Sequence, residues 1–247
     1  MTDEIGYCTV EDVRRVLQEA ELDGARDEDA NRAVADAIRS QTEWLQERTN
    51  RHWYVDERPD EDADHKLLAT DAVEHTGDEL DIAESAHSDH VQRFRGGRGR
   101  SARYPVRHAG PYTRVKLSRR DALEVTELLV RNQDGSVTDW VETRDEGRGD
   151  DYYLKTADGT GFSYLYLHTG TLPRLSDYGA AVVATYDYGI EGLPGTVRRA
   201  IAMRAAAQLH VDDEAGLAIP SEGQLMGAES KVQALERQAE ELLEVHL

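Results

Sequence analysis

The residues best suited to chemistry lie in one stretch, Arg93–Arg120, RFRGGRGRSARYPVRHAGPYTRVKLSRR. It holds nine arginines and one lysine and no Asp or Glu, inside a chain of 247 residues whose net charge is -20. Guanidinium groups fork onto phosphates and carboxylates. Phe94, Tyr104 and Tyr112 interleave the cations, and aromatic rings among basic residues are what a phosphate-backbone contact uses. The same stretch also suits an acidic protein, including another copy of this chain, and that second use ranks first; a solvated loop with no specific partner is the third reading. The contacting cations are Arg93, Arg95, Arg98, Arg100, Arg103, Arg107, Arg114 and Lys116. Gly96, Gly97, Gly99, Pro105, Gly110 and Pro111 rule out a long helix there, and Val115–Leu117 reads as the start of a strand.

Other reactive side chains form no constellation. His75, His87 and His90 lack the spacing of a metal site, and Asp145, Glu146, Asp150 and Asp151 make an acidic turn without a cation-loop motif. GGRG at 96–99 lacks the Lys and Ser/Thr of a nucleotide loop. His168 has no readable orienting partner. The expectation is a protein with no enzymatic activity, no metal and no cofactor. Cys8 is the only cysteine, so no disulfide closes within the chain. No apolar run is long enough for a membrane span. The start, MTDEIG, is acidic and unlike a signal peptide, so synthesis in the cytoplasm is expected.

The elements that must position the arginines are helices at both ends and strands between. Thr9 caps a first helix with Val10, Val13, Val16 and Leu17 on one stripe. A second helix runs from about Asp27 to Asn50, carrying Trp44 and Leu45, with Trp53 just beyond as a further core anchor. Leu193–Val211 reads as the central packing helix, capped at Thr196, with Val197, Ile201 and Leu209 in the core. Its alanines leave room for close neighbours. The last helix, Ala228–Val245, repeats Val232, Leu235, Ala239, Leu242 and Leu243 near heptad spacing, a stripe that must pack on other helices, of this chain or of a partner. Between them, five to seven mostly antiparallel strands are expected, among them Ala122–Val130, Val137–Val141, Phe162–Leu167 and Ala180–Tyr188. Leu67–Ala69 and Leu80–Ala83 read as short strands around a turn at Thr76–Asp78.

The passage YDYGIEGLPGTVRRAIAMRAAAQL, with Tyr7–Leu17 and Ile38–Trp53, resembles the head–tail connector (adaptor) proteins of tailed phages. The resemblance implies an α+β chain: a four-helix connector-type bundle with an antiparallel β region inserted between the second and third helices. Residues 1–55 and 190–247 would build the bundle and 56–189 the insert. It also implies a structural virion protein at the head–tail junction, a ring of identical copies, twelvefold by analogy. The ring would dock on the portal protein through Val232–Leu243, join a tail or second connector protein, and let DNA pass through its lumen without sequence-specific binding. The alternative is a nucleic-acid-binding protein using Arg93–Arg120. The composition is acid-rich, and Lys66, Lys116, Lys155 and Lys231 are its only lysines. Concentrated salt screens such charge, as in extreme halophiles, and with the resemblance this implies a haloarchaeal tailed virus; a GC-rich genome is the alternative source of the arginine bias, though not of the acid excess.

Overall fold

The computed structural model describes residues 6–17, 28–56, 65–80, 112–132, 134–172, 182–211 and 225–246. In chain order these form α1 (Val10–Leu17), α2 (Glu28–Thr49), β1 (Trp53–Tyr54), β2 (Val73–Leu80), β3 (Tyr112–Arg120), β4 (Ala122–Arg131), β5 (Val137–Asp139), α3 (Trp140–Thr143), β6 (Tyr152–Thr156), β7 (Phe162–His168), β8 (Val182–Tyr188), β9 (Ile190–Glu191), α4 (Gly195–Val211) and α5 (Leu225–Leu243). The chain divides into two units: Met1–Ala72 with Ile190–Leu247, and Val73–Gly189.

The first unit is organised by α4. Ala200, Ala202, Ala205, Ala206 and Ala207 are all buried there, beside Val197, Ile201 and Leu209. A helix that is apolar on nearly every side must be surrounded, and α1, α2 and α5 all pack on this one. Small side chains let their backbones come close. The α1 start is a capping box: Thr9 Oγ1 accepts from the Asp12 N–H at 3.2 Å, and Asp12 Oδ2 accepts from the Thr9 N–H at 3.0 Å. The same Asp12 oxygen takes Arg198 Nε at 2.7 Å, which ties α1 to α4. Thr196 does not cap α4. Its hydroxyl meets His246 Nε2 at 2.9 Å, and the first helical carbonyl is that of Pro194, accepting from the Arg198 N–H.

Trp44 anchors by its ring face rather than by full burial: the Arg204 guanidinium lies over it at 3.7 Å and Arg48 at 5.2 Å. Leu45 and Trp53 are fully enclosed. Around Trp53 sits a buried polar knot. The Tyr7 hydroxyl accepts from Gln46 Nε2 at 3.0 Å and from the Trp53 N–H at 3.1 Å, and it meets His52 Nδ1 at 3.0 Å. On its other side His52 Nε2 lies 3.0 Å from the Asp71 carbonyl. That contact requires the Nε2–H tautomer and leaves Nδ1 to accept. Burial holds the His52 pKa below its ordinary value, partly offset by the Asp71 bond.

The second unit is two antiparallel sheets, β2-β8-β4-β5 and β3-β7-β6, closed over one core that includes Val125, Leu128, Trp140, Leu165, Leu167 and Tyr186. The chain crosses from β3 to β4 at Asp121, which takes a left-handed φ of 57° and donates its N–H to the Gly161 carbonyl at 2.7 Å. The turn expected at Thr76–Asp78 is instead a bulge within β2, with Gly77 at φ 73° and a register shift against β8. Leu67–Ala69 is not a strand.

The expectation of a four-helix bundle carrying a β insert is therefore corrected. The described residues form five helices and nine strands in three sheets, a sheet-rich mixed fold. Two physical reasons stand out. The alternating middle of the chain closes a hydrophobic core of its own rather than decorating a helical one. And the helical unit is not purely helical: β1 and β9 pair in parallel, Trp53 with Ile190 and Tyr54 with Glu191.

Candidate functional site

Strand alternation sorts the β3-β7-β6 sheet into two faces. Val115, Leu117, Leu165 and Leu167 point into the core. On the opposite face the registers set Arg114 beside Tyr166, Lys116 beside Tyr164 and Arg120 beside Phe162 on one flank of β7. On the other flank Tyr153 lies beside Tyr166 and Lys155 beside Tyr164. Phe162, Tyr164, Tyr166 and His168 thus form a central row of rings bordered by cations. No acidic residue occupies this face of the three strands.

The cations are held by the rings. The Arg114 guanidinium is 4.5 Å from the Tyr164 centroid, Lys116 Nζ 3.9 Å from Phe162, and the Arg120 guanidinium 4.4 Å from Phe162. Arg148, from the turn before β6, reaches Tyr153 at 5.9 Å. Tyr153 stacks on Tyr166 at 4.4 Å with the ring planes 5° apart, and Tyr112 meets Tyr153 edge-on at 5.0 Å. Desolvation raises the Tyr153 pKa, and neighbouring Tyr166 raises it further. The Tyr153 hydroxyl therefore stays neutral near pH 7 and adds no negative charge to the face. Charges presented on ring pedestals have the chemistry to meet phosphate or carboxylate oxygens, which carry no base sequence.

Of the sequence-expected cations, Arg114 and Lys116 lie on this face. Arg93, Arg95, Arg98, Arg100, Arg103 and Arg107 lie outside the described residues. Lys155, Arg148 and the β7 rings are not among the expected site residues; strand register brings them in, and the one signal for it in the sequence is the alternation Phe-Ser-Tyr-Leu-Tyr-Leu-His at 162–168. On α5, Ala239 and Leu243 are buried in this chain's own helical core. Val232, Leu235 and Leu242 are half-buried and keep part of their surface. Cys8 is buried, and burial pushes its thiol pKa well above the usual range, so it is inert.

A second polar cluster joins β2, β3 and β8. Ser118 Oγ lies 3.0 Å from His75 Nε2, the distance of a nucleophile–base pair. Asp78 Oδ2, however, accepts from the Ser118 N–H at 2.8 Å and from the Tyr186 hydroxyl at 2.8 Å rather than orienting the His75 ring. The Arg119 N–H also goes to the Tyr186 hydroxyl, at 3.0 Å. The cluster pins three strands together where the β2 bulge aims Asp78 inward. Among the described residues no group of three His, Cys, Asp or Glu side chains converges as a metal site. Nor is any described helix long and apolar enough to cross a membrane.

Comparisons with protein families, with curated proteins and with solved structures find no match for this chain.

Proposed function

We propose that this protein is a structural component of a tailed virus particle, a head–tail adaptor. Many copies ring the axis at the head–tail junction, dock on the portal, and meet a tail or second connector protein. The particle is that of a haloarchaeal virus, with assembly in the host cytoplasm. The observation that carries the reading is α4. It is launched from the Tyr186–Pro194 passage that resembles the adaptor family, and the opening helices and the C-terminal helix all pack on it. The half-buried Val232, Leu235 and Leu242 supply apolar surface for a partner. The cationic face of β3, β6 and β7 supplies a surface for passing DNA or for an acidic neighbour. Function here is assembly, with no reaction turned over.

The test is side-chain-resolution imaging of intact particles. The expected result is density for several copies of this chain around the axis between capsid and tail. Particles lacking the protein at that joint would end the reading.

A second reading, nucleic-acid binding as the main task, is favoured by one observation: ring-held cations gathered on one sheet face of a chain whose net charge is -20. Retention of free DNA by the isolated protein, weakening as salt rises, is the outcome that would raise it to first place.

A further inference from the structure

Within the helical unit a cleft of about 470 Å³ opens between α1, α4 and α5. Its floor is apolar: Val16, Ala202, Met203 and Leu235. Its polar lining is Arg15, Arg198 and Arg199 against one carboxylate, Asp12, with Gln238 beside them, so its rim is net cationic. Arg198 is committed to Asp12 at 2.7 Å. Arg15 makes an exposed pair with Glu11, its own side chain 72% exposed, and Arg199 is exposed. An apolar floor under cations fits an apolar side chain flanked by carboxylates.

The same unit displays that counterpart. Val245 is 88% exposed, the most exposed large hydrophobic side chain among the described residues. It follows Glu244 directly and lies just beyond Glu241, both exposed. Its neighbour His246 is anchored, with Nε2 at 2.9 Å from the Thr196 hydroxyl and its ring edge-on to Trp53 at 5.9 Å. The turn after α5 is thereby fixed, with Val245 facing outward. We propose that the cleft receives the Glu241–Val245 tip of α5 from a second copy of this chain, valine on the floor and glutamates on Arg15 and Arg199. The inference rests on the adaptor reading's claim that copies associate, and it names the contact through which they do so. Charge complementarity argues for this occupant: rim and tip are opposite in sign, and a valine surrounded by water gains by burial.

The experiment uses the full chain, with association followed by native mass spectrometry and light scattering across concentration. Wild type should associate. Arg15→Glu with Arg199→Glu, or Glu241→Arg with Glu244→Arg, should raise the half-association concentration by about tenfold or more. Mixing these two reversed variants should restore association, because each then offers the other a matching surface. Val245→Asp, on a side chain that packs against nothing, should weaken association while leaving the circular dichroism spectrum unchanged. A wild-type chain that stays monomeric, reversed variants that associate as wild type does, or a mixture that fails to recover would each overturn the proposal. Absence of the protein from particles would end the adaptor reading but leave this contact standing, because association is measured on the isolated chain.

Discussion

Replacing Tyr7 with Phe removes one oxygen and leaves the ring, which meets Trp53 edge-on at 5.6 Å. That oxygen accepts two hydrogen bonds, from the buried Trp53 N–H and from Gln46 Nε2, and contacts His52 Nδ1. Gln46 keeps a partner, since Nε2 also lies 2.8 Å from His52 Nδ1. The Trp53 N–H loses the acceptor it uses in the fold. A buried donor stripped of its partner costs about 1–3 kcal/mol, and the Gln46 bond adds about 1 kcal/mol. Tyr7→Phe should therefore lower the stability of the helical unit by about 3 kcal/mol, a large share of a typical domain's margin of about 5–15 kcal/mol. Denaturant unfolding should show a lower midpoint with an unchanged slope. Hydrogen exchange should show the Trp53 amide losing protection while amides of β4 and β8 keep theirs. A loss under about 0.5 kcal/mol, with Trp53 still protected, would mean that the knot around Tyr7 is not the constraint inferred here.

Three further outcomes follow from the same structure. Burial lowers the folded-state pKa of His52, and burial does the same for His75 and His246. The unfolded chain therefore takes up protons first, and stability should fall as pH drops below about 6.5 toward the folded values, measurable as a decreasing unfolding midpoint. Ala206→Leu should destabilise by about 1–3 kcal/mol, because Ala206 is fully buried on α4 and three more carbons must displace its packed neighbours; thermal unfolding reads it. Lys116→Ala should leave folding intact; if the sheet face holds duplex DNA, it should reduce the salt slope of binding by about 0.9, and an unchanged slope would place DNA elsewhere.

Local order was largely readable from residues. Thr9 with Asp12 announces the start of α1. The alanine-rich run after Pro194 announces a helix that must be enclosed, and the alternation in 122–130 and 182–188 announces strands. Thr196 misled because a hydroxyl near a helix start reads as a cap, yet His246, fifty positions away, claims it. Trp44 reads as a buried anchor, but two arginines cover its ring instead. Ala239 and Leu243 sit on a heptad stripe that does not say which helix covers it, of this chain or another; α4 of the same chain does. The cationic sheet face was half legible. Arg114 and Lys116 stand out by composition, while Lys155 and the β7 rings join them only through strand register.

What the sequence by itself determined is the inventory: which segments must bury a side, where charge concentrates, and that one helix has bulk small enough for several neighbours. Those properties are local, set by side-chain volume, polarity and the periods of helix and strand. What only the tertiary structure decided is partnership. The parallel pairing of Trp53–Tyr54 with Ile190–Glu191 joins segments more than 130 positions apart. The two sheets sharing a separate core turn a supposed insert into a unit with its own interior. Such choices depend on distances between residues remote in sequence, and hydrophobic burial, being non-directional, does not specify them until the whole chain has closed.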